Sequence, residues 1–196
     1  MHPADRLRKN LQDSIAAKRT LLDDAPCLAA FAAAVQTVIG VYKAGGRLYI
    51  AGNGGSAADA QHLAAEFVSR LAKERRPLPA EALTVDSSIL TAVANDYGYD
   101  QVFARQLVAK ASPGDAFLAI TTSGNSPNIL RALEECRRLG VPTLLFTGRD
   151  GGAARALADH SIVAPGTATS SIQEVHIVLA HTLCECVEAE LTGISN

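Results

Sequence analysis

What this 196-residue sequence lacks narrows its function before any motif is read. Its four cysteines, Cys27, Cys136, Cys184 and Cys186, form no CxxC pair, so no disulfide framework is expected and they read as small buried or half-buried side chains. No excess of charge of one sign exists: 18 Lys and Arg against 20 Asp and Glu leave a net charge of -2. That balance argues against nucleic acid or an anionic membrane as a partner. No uninterrupted apolar run of about 18 residues is evident. The opening segment MHPADRLRKNLQDSIAAKRT is charged throughout, so neither a signal peptide nor an anchor is expected and the location is expected to be cytoplasmic. Internal repeats and low-complexity linkers are absent as well.

What is present is a globular composition, 48% apolar and 19% charged, on a chain long enough for one ordinary domain. Residues 4–23 and 27–44 read as two Ala-rich helices, broken by DDAP and ended by AGG. Short β-rich runs follow, each leading into a helical segment: RLYIA (47–51), ALTV (82–85), AFLAIT (116–121), PTLLFT (142–147) and HSIVA (160–164). This alternation predicts an α/β fold with a five-stranded parallel sheet flanked by helices. The expected organisation is one domain over 1–196: a helical N-terminal extension of about 1–44, a sheet core of about 45–170, and a long C-terminal helix of about 171–191. These helices exceed what five strands need for cover, so the N-terminal ones are expected to serve oligomerisation.

In an open parallel sheet, ligands bind outside the carboxyl ends of strands, which singles out two loops. The first, Gly52-Asn53-Gly54-Gly55-Ser56, superficially matches the dinucleotide fingerprint with Gly52, Gly54 and Ala57. That reading is weak, because the expected acid about 20 residues on is missing; the region is LAKERRPLP, and the second strand reaches an acid only at Asp86. The glycines are better explained as letting backbone approach a polar ligand, with Ser56 capping the next helix. The second loop, Thr121-Thr122-Ser123-Gly124-Asn125-Ser126-Pro127-Asn128, gathers hydroxyls before a proline suited to the first helical position. Free backbone N–H groups at such a helix start favour an anion. Without the lysine of a P-loop, the loop should hold a phosphomonoester as a static handle.

Behind the first loop, His62 and Glu66 share a helix face at i, i+4, with Asp59 one turn earlier; on the last helix Gln173, His176, His181 and Glu185 form a second polar set. Neutral imidazole and carboxylate are ordinary ligands of zinc. On a straight helix Gln173 and His181 would be about 12 Å apart along the axis and about 80° apart around it. Both reach one ion only if Gln173 lies at an irregular helix start or different subunits contribute.

The motifs AGNGGSAADAQHLAAEFVSR, DSSILTAVANDYGYDQVFARQL, TTSGNSPNI, FTGRDGG and SIQEVHIVLAHTLCECVE, in this order, resemble those of the phosphoheptose isomerases of the sugar-isomerase (SIS) domain family. The likeness runs from about residue 40 to about 190. It implies an aldose–ketose isomerase converting D-sedoheptulose 7-phosphate to D-glycero-D-manno-heptose 7-phosphate through an enediol, the entry to the heptose of lipopolysaccharide and other surface polysaccharide. It also implies one zinc ion per subunit, held by His62, Glu66, Gln173 and His181, and a homotetramer with active sites near subunit interfaces. Substrate contacts carry over onto Asn53, Gly54, Gly55, Glu66, Asn95, Asp96, Thr121, Thr122, Ser123, Ser126 and Gln173. Two positions depart from the family pattern: Thr121 replaces a common serine but keeps a hydroxyl, and Ser171 stands where a basic residue is frequent.

Such a reaction needs a base for the proton beside the carbonyl, an acid for the oxygens, and positive charge near the enediolate. Glu66 is the candidate base, His181 the candidate acid, and zinc the charge. A metal-bound His cannot donate from the same nitrogen, so His181 uses its other nitrogen or alternates between roles. Two other readings stand beside this one: a non-catalytic SIS-domain regulator that binds a partner protein, as in replication-initiation regulators, and an isomerase of another phosphosugar.

Overall fold

Five short aliphatic runs pair into one sheet in the computed structural model, which describes residues 1–192. The strands β1 (Leu48–Gly52), β2 (Ala80–Ala82), β3 (Ala116–Thr121), β4 (Thr143–Gly148) and β5 (His160–Ala164) are all parallel, in the order β2-β1-β3-β4-β5. Every residue of β1, β3 and β4 is buried, as strands covered on both faces require. Alternate side chains feed two cores. Leu48, Ile50, Leu118, Ile120, Leu144 and Phe146 enter one; Tyr49, Ala51, Phe117, Ala119 and Leu145 enter the other.

The first core is covered by α1 (Pro3–Leu22), α2 (Ala25–Lys43), α3 (Gly55–Val68) and α7 (Thr169–Thr192). The second lies under α4 (Ser87–Tyr97), α5 (Ala104–Lys110) and α6 (Pro127–Leu139). Two short 3₁₀ segments, Tyr99–Gln101 and Ala153–Ala156, complete the connections. The chain is thus an α/β domain with seven α-helices among the described residues.

Two expectations need correction. The second strand occupies Ala80–Ala82 rather than 82–85, although Leu83 N still donates to Ile50 O at 2.9 Å. The reason lies just beyond: the Asp86 carboxylate accepts from Ile89 N at 2.9 Å and caps α4, so the chain must turn before it. The second correction concerns apolar length. α2 contains an 18-residue window of mean hydropathy 1.6, long and apolar enough by composition to cross a membrane. Here it packs as a core helix, burying Ala34, Val35, Val38, Ile39, Val41 and Tyr42.

Candidate functional site at the β1–β3 crevice

The sheet order reverses between β1 and β3, because the chain leaves β1 toward β2 on one side and β3 toward β4 on the other. Their following loops therefore part and leave a crevice at the strand ends. In the loop after β1, a Cβ on Gly52 would stand 2.5 Å from Ser56 O, and one on Gly55 would stand 2.3 Å from Gln173 Nε2. At Gly52 the obstacle is backbone, so glycine is needed there for close approach; at Gly55 the obstacle is the far end of the Gln173 side chain. At Gly55 this approach brings α7 onto the loop. Ser56 does not cap α3: Gly54, at φ 56°, occupies the cap position without a side-chain bond, and Ser56 is buried inside the first turn.

Asn53 ties this loop to the second. Its Nδ2 donates to Asn128 Oδ1 at 2.9 Å, and Asn128 Nδ2 donates back to Asn53 Oδ1 at 2.8 Å. Tyr99 also donates to Asn53 Oδ1, at 3.4 Å. Asn128 is nearly fully buried, so this reciprocal amide pair fixes the separation of the loops. Asn128 and Tyr99 were not among the sequence candidates. The Asn of SPN at a helix start was the available hint, but its partner is 75 residues away.

The second loop is held by backbone. Pro127 is the first residue of α6, and Ser126 at its cap makes no side-chain bond to the helix. The Ser126 hydroxyl lies 3.3 Å from Thr121 Oγ1, with Thr122 and Ser123 half-buried beside them. Gly124 has φ 66°, and a Cβ there would stand 1.9 Å from Gly151 O. Ala154 N donates to Gly124 O at 2.9 Å, and Ala153 N donates to Asn125 Oδ1 at 3.0 Å. The loop after β4 thus buttresses a concavity of hydroxyls and helix N–H groups suited to an anion.

On the third side stand the titratable groups of α3 and α7. His62 Nε2 lies 3.0 Å from His181 Nε2 and 3.3 Å from Glu66 Oε1. The structure therefore brings together three of the residues singled out from sequence on two helices. Gln173 does not join them. α7 runs as α-helix through both Gln173 and His181, so Gln173 meets Gly55 while His181 meets His62. Among the described residues, no group of three or more His, Cys, Asp or Glu side chains converges as a ready-made metal cage.

Asp59 is half-buried, its Oδ2 has no hydrogen-bond partner among the described residues, and burial raises its pKa against the opposing pull of His62. Asn95 and Asp96 lie exposed at the end of α4, where Asn95 Nδ2 donates to Asp96 Oδ1 at 2.7 Å. Glu185 is exposed and makes no hydrogen bond or ion pair among the described residues. His176 points away from the crevice: its Nε2 donates to Thr147 O at 2.9 Å, and burial pushes its pKa down to about 4. Asp86, the one acid the dinucleotide reading could have used, is taken up by its helix cap.

A profile of the SIS domain matches residues 20–148 of the chain. Phosphoheptose isomerase 2 of Campylobacter jejuni is 47% identical over 187 residues, covering 95% of this chain and 93% of that protein. Phosphoheptose isomerase of Aquifex aeolicus is 55% identical over 146 residues, 74% of this chain and 76% of that one. The solved structure of phosphoheptose isomerase from Neisseria gonorrhoeae superposes with a TM-score of 0.90 at 36% identity, covering 96% of this chain and 100% of the other.

Proposed function

The chain belongs to the SIS-domain family and, within it, to the phosphoheptose isomerases, and from that premise we propose that it interconverts D-sedoheptulose 7-phosphate and D-glycero-D-manno-heptose 7-phosphate. The observation that carries the proposal is the approach of His181 and Glu66 to His62, at 3.0 Å and 3.3 Å, on two helices beside the hydroxyl-rich loop. A sugar phosphate anchored by Thr121, Thr122, Ser123, Ser126 and the start of α6 would extend along Asn53, Gly54 and Gly55 toward those groups. Asn95, Asp96 and Gln173 would meet the sugar at the crevice edges.

In the forward direction, the Glu66 carboxylate takes a proton from the hydroxyl-bearing carbon beside the ketone, and its electron pair forms the carbon–carbon double bond of the enediol. The carbonyl oxygen gains a proton, supplied by His181. Returning a proton to the former carbonyl carbon, with loss of one from the terminal hydroxyl, yields the aldose. Because Nε2 of His181 faces His62, Nδ1 is the nitrogen left to serve a substrate oxygen.

The donor chemistry also fits zinc, since two imidazole nitrogens facing each other at 3.0 Å beside a carboxylate are ordinary ligands. His62, Glu66 and His181, with Gln173 supplied from a neighbouring subunit because α7 is unbroken between Gln173 and His181, would hold one ion per subunit. When bound, zinc supplies a Lewis acid to the substrate oxygens. The protein would act in the cytoplasm at the start of heptose supply for lipopolysaccharide and related surface polysaccharide. It would do so as a homotetramer, a state favoured by the exposed stripe Leu7, Leu11 and Ile15 on α1.

Incubating the purified protein with sedoheptulose 7-phosphate, with elemental analysis and sedimentation alongside, tests these statements together. Aldose formation is expected, with stoichiometric zinc and a mass of four chains. Absence of product and of zinc would replace the proposal with a sugar-phosphate-binding regulator.

A further inference from the structure

We propose that Arg75 and Glu188 form a positioning latch that fixes the Glu66 end of α3 against the His181 face of α7; this rests on the isomerase reading and deepens it. Arg75 lies in the irregular segment between α3 and β2, yet its side chain is 3% exposed and that of Glu188 only 2%. Arg75 Nε donates to Glu188 Oε1 at 2.9 Å. The same guanidinium reaches α3: Nη2, itself 2.9 Å from Glu188 Oε1, donates to Glu66 O at 2.7 Å, and Nη1 donates to Phe67 O at 2.7 Å. Glu188 in turn accepts from Leu71 N at 2.9 Å and Ala72 N at 3.2 Å. One buried pair thereby joins the last turn of α3, the segment after it, and α7.

The last carbonyls of a helix lack intrahelical partners, and a cation there complements the helix dipole. Arg75 meets both needs at the turn that carries Glu66. Glu188 is seven residues beyond His181 on α7, which places it on nearly the same face about 10 Å further along. The two helices are therefore pinned twice, by His62 against His181 and by Arg75 against Glu188. Packing alone does not call for this arrangement, because a buried ion pair seldom stabilises more than apolar side chains of similar volume. What the rigid guanidinium fork adds is direction, several bonds held at fixed angles. For a base that must meet one carbon–hydrogen bond, misplacement by about 1 Å costs on the order of 10²-fold in rate.

The test is the double variant Arg75→Met with Glu188→Leu, beside Glu188→Gln and Arg75→Lys, measured against wild type. A latch predicts that the double variant unfolds cooperatively near the wild-type temperature. Its kcat should fall about 10-fold or more while KM for sedoheptulose 7-phosphate stays within about twofold. Arg75→Lys should not restore kcat, because a point charge cannot replace the fork. Amide exchange at Phe67, Val68 and Ser69 should quicken in every variant. A double variant with wild-type kcat and unchanged exchange would overturn the proposal and leave the pair a purely structural one. Should the double variant fail to fold, Glu188→Gln decides by the same two readouts. A wild-type protein without turnover would defeat the isomerase reading instead, and exchange at the end of α3 would then judge the latch alone.

Discussion

The hydroxyl-rich loop after β3 and the facing surfaces of α3 and α7 border one crevice but are built in opposite ways. The loop is closed by backbone: Gly124 is pressed against Gly151, and Ala154 N bonds Gly124 O. The helix surfaces meet at the crevice through side chains, with His62 about half exposed, 3.0 Å from His181 across the seam and 3.3 Å from Glu66 on its own helix. The contrast follows from the chemistry each end would perform. A phosphate handle is the same in ground and transition states, so its holder can be rigid and satisfied. Groups that exchange protons with substrate cannot have every lone pair and hydrogen engaged beforehand.

The sharpest break of that contrast removes a proton-exchanging group while sparing the scaffold. Glu66→Gln and His181→Gln should each lower kcat by about 10²-fold or more with unchanged melting, measured by steady-state assay and thermal denaturation. Wild-type turnover in either variant would take that residue out of the mechanism. Next in size is Gly124→Ala. Its Cβ would stand 1.9 Å from a backbone oxygen at φ 66°, so the buttress must shift. A stability loss on the order of 1–3 kcal/mol is expected, together with weaker substrate binding. Unaltered KM and stability would show that the loop is not held as described. Ser123→Ala with Ser126→Ala removes the hydroxyls, together with the bond that Ser123 Oγ accepts from Asn125 N at 3.2 Å, and should raise KM by about 10-fold with little change in kcat. A fall in kcat at constant KM would mean the hydroxyls act on the reacting carbons instead.

The same contrast decides how much could be read from sequence. The loop after β3 was legible because its parts are contiguous: hydroxyls, a glycine and a helix-starting proline within one segment. The helix surfaces were legible only as residue types at i, i+4 spacing. That His62 would meet His181, and Gln173 would meet Gly55 instead, depends on how α3 and α7 pack. The spacing set Gln173 and His181 about 12 Å apart along a straight helix, so that both could serve one ion only through an irregular helix start or a second subunit, and α7 is unbroken between them. Asn128 and the Arg75–Glu188 pair were invisible because their partners are 75 and 113 residues distant. The edge strand β2 was misplaced for a different reason: three residues carry too little alternation, and the apolar LTV beyond them resembles a strand until Asp86 claims the turn.

His176 separates scaffold from chemistry in one more way, by pH. It lies one turn along α7 from Gln173, donates to the end of β4, and leaves Nδ1 without a partner among the described residues. Burial lowers its pKa to about 4, against a bonding contribution from Thr147 that raises it. The folded state therefore keeps it neutral where the unfolded state, near 6.5, takes up a proton. Between those values the unfolded chain binds more protons, so stability rises with pH. The stabilisation is present above about 6.5 and is lost as pH falls toward 4, amounting to about 3 kcal/mol there. Glu188, held below its ordinary carboxylate value even though burial alone would raise it, adds its own loss only below about 4.5. Denaturant titrations from pH 7 to 4 should show this slope in wild type and a flatter one in His176→Gln, which keeps a donor for Thr147 but cannot titrate. At neutral pH the two proteins should differ little in kcat, because His176 faces the sheet rather than the crevice. Identical slopes would mean that His176 is already charged in the fold, and a fall in kcat would mean that α7 transmits its bond with Thr147 to the reacting end.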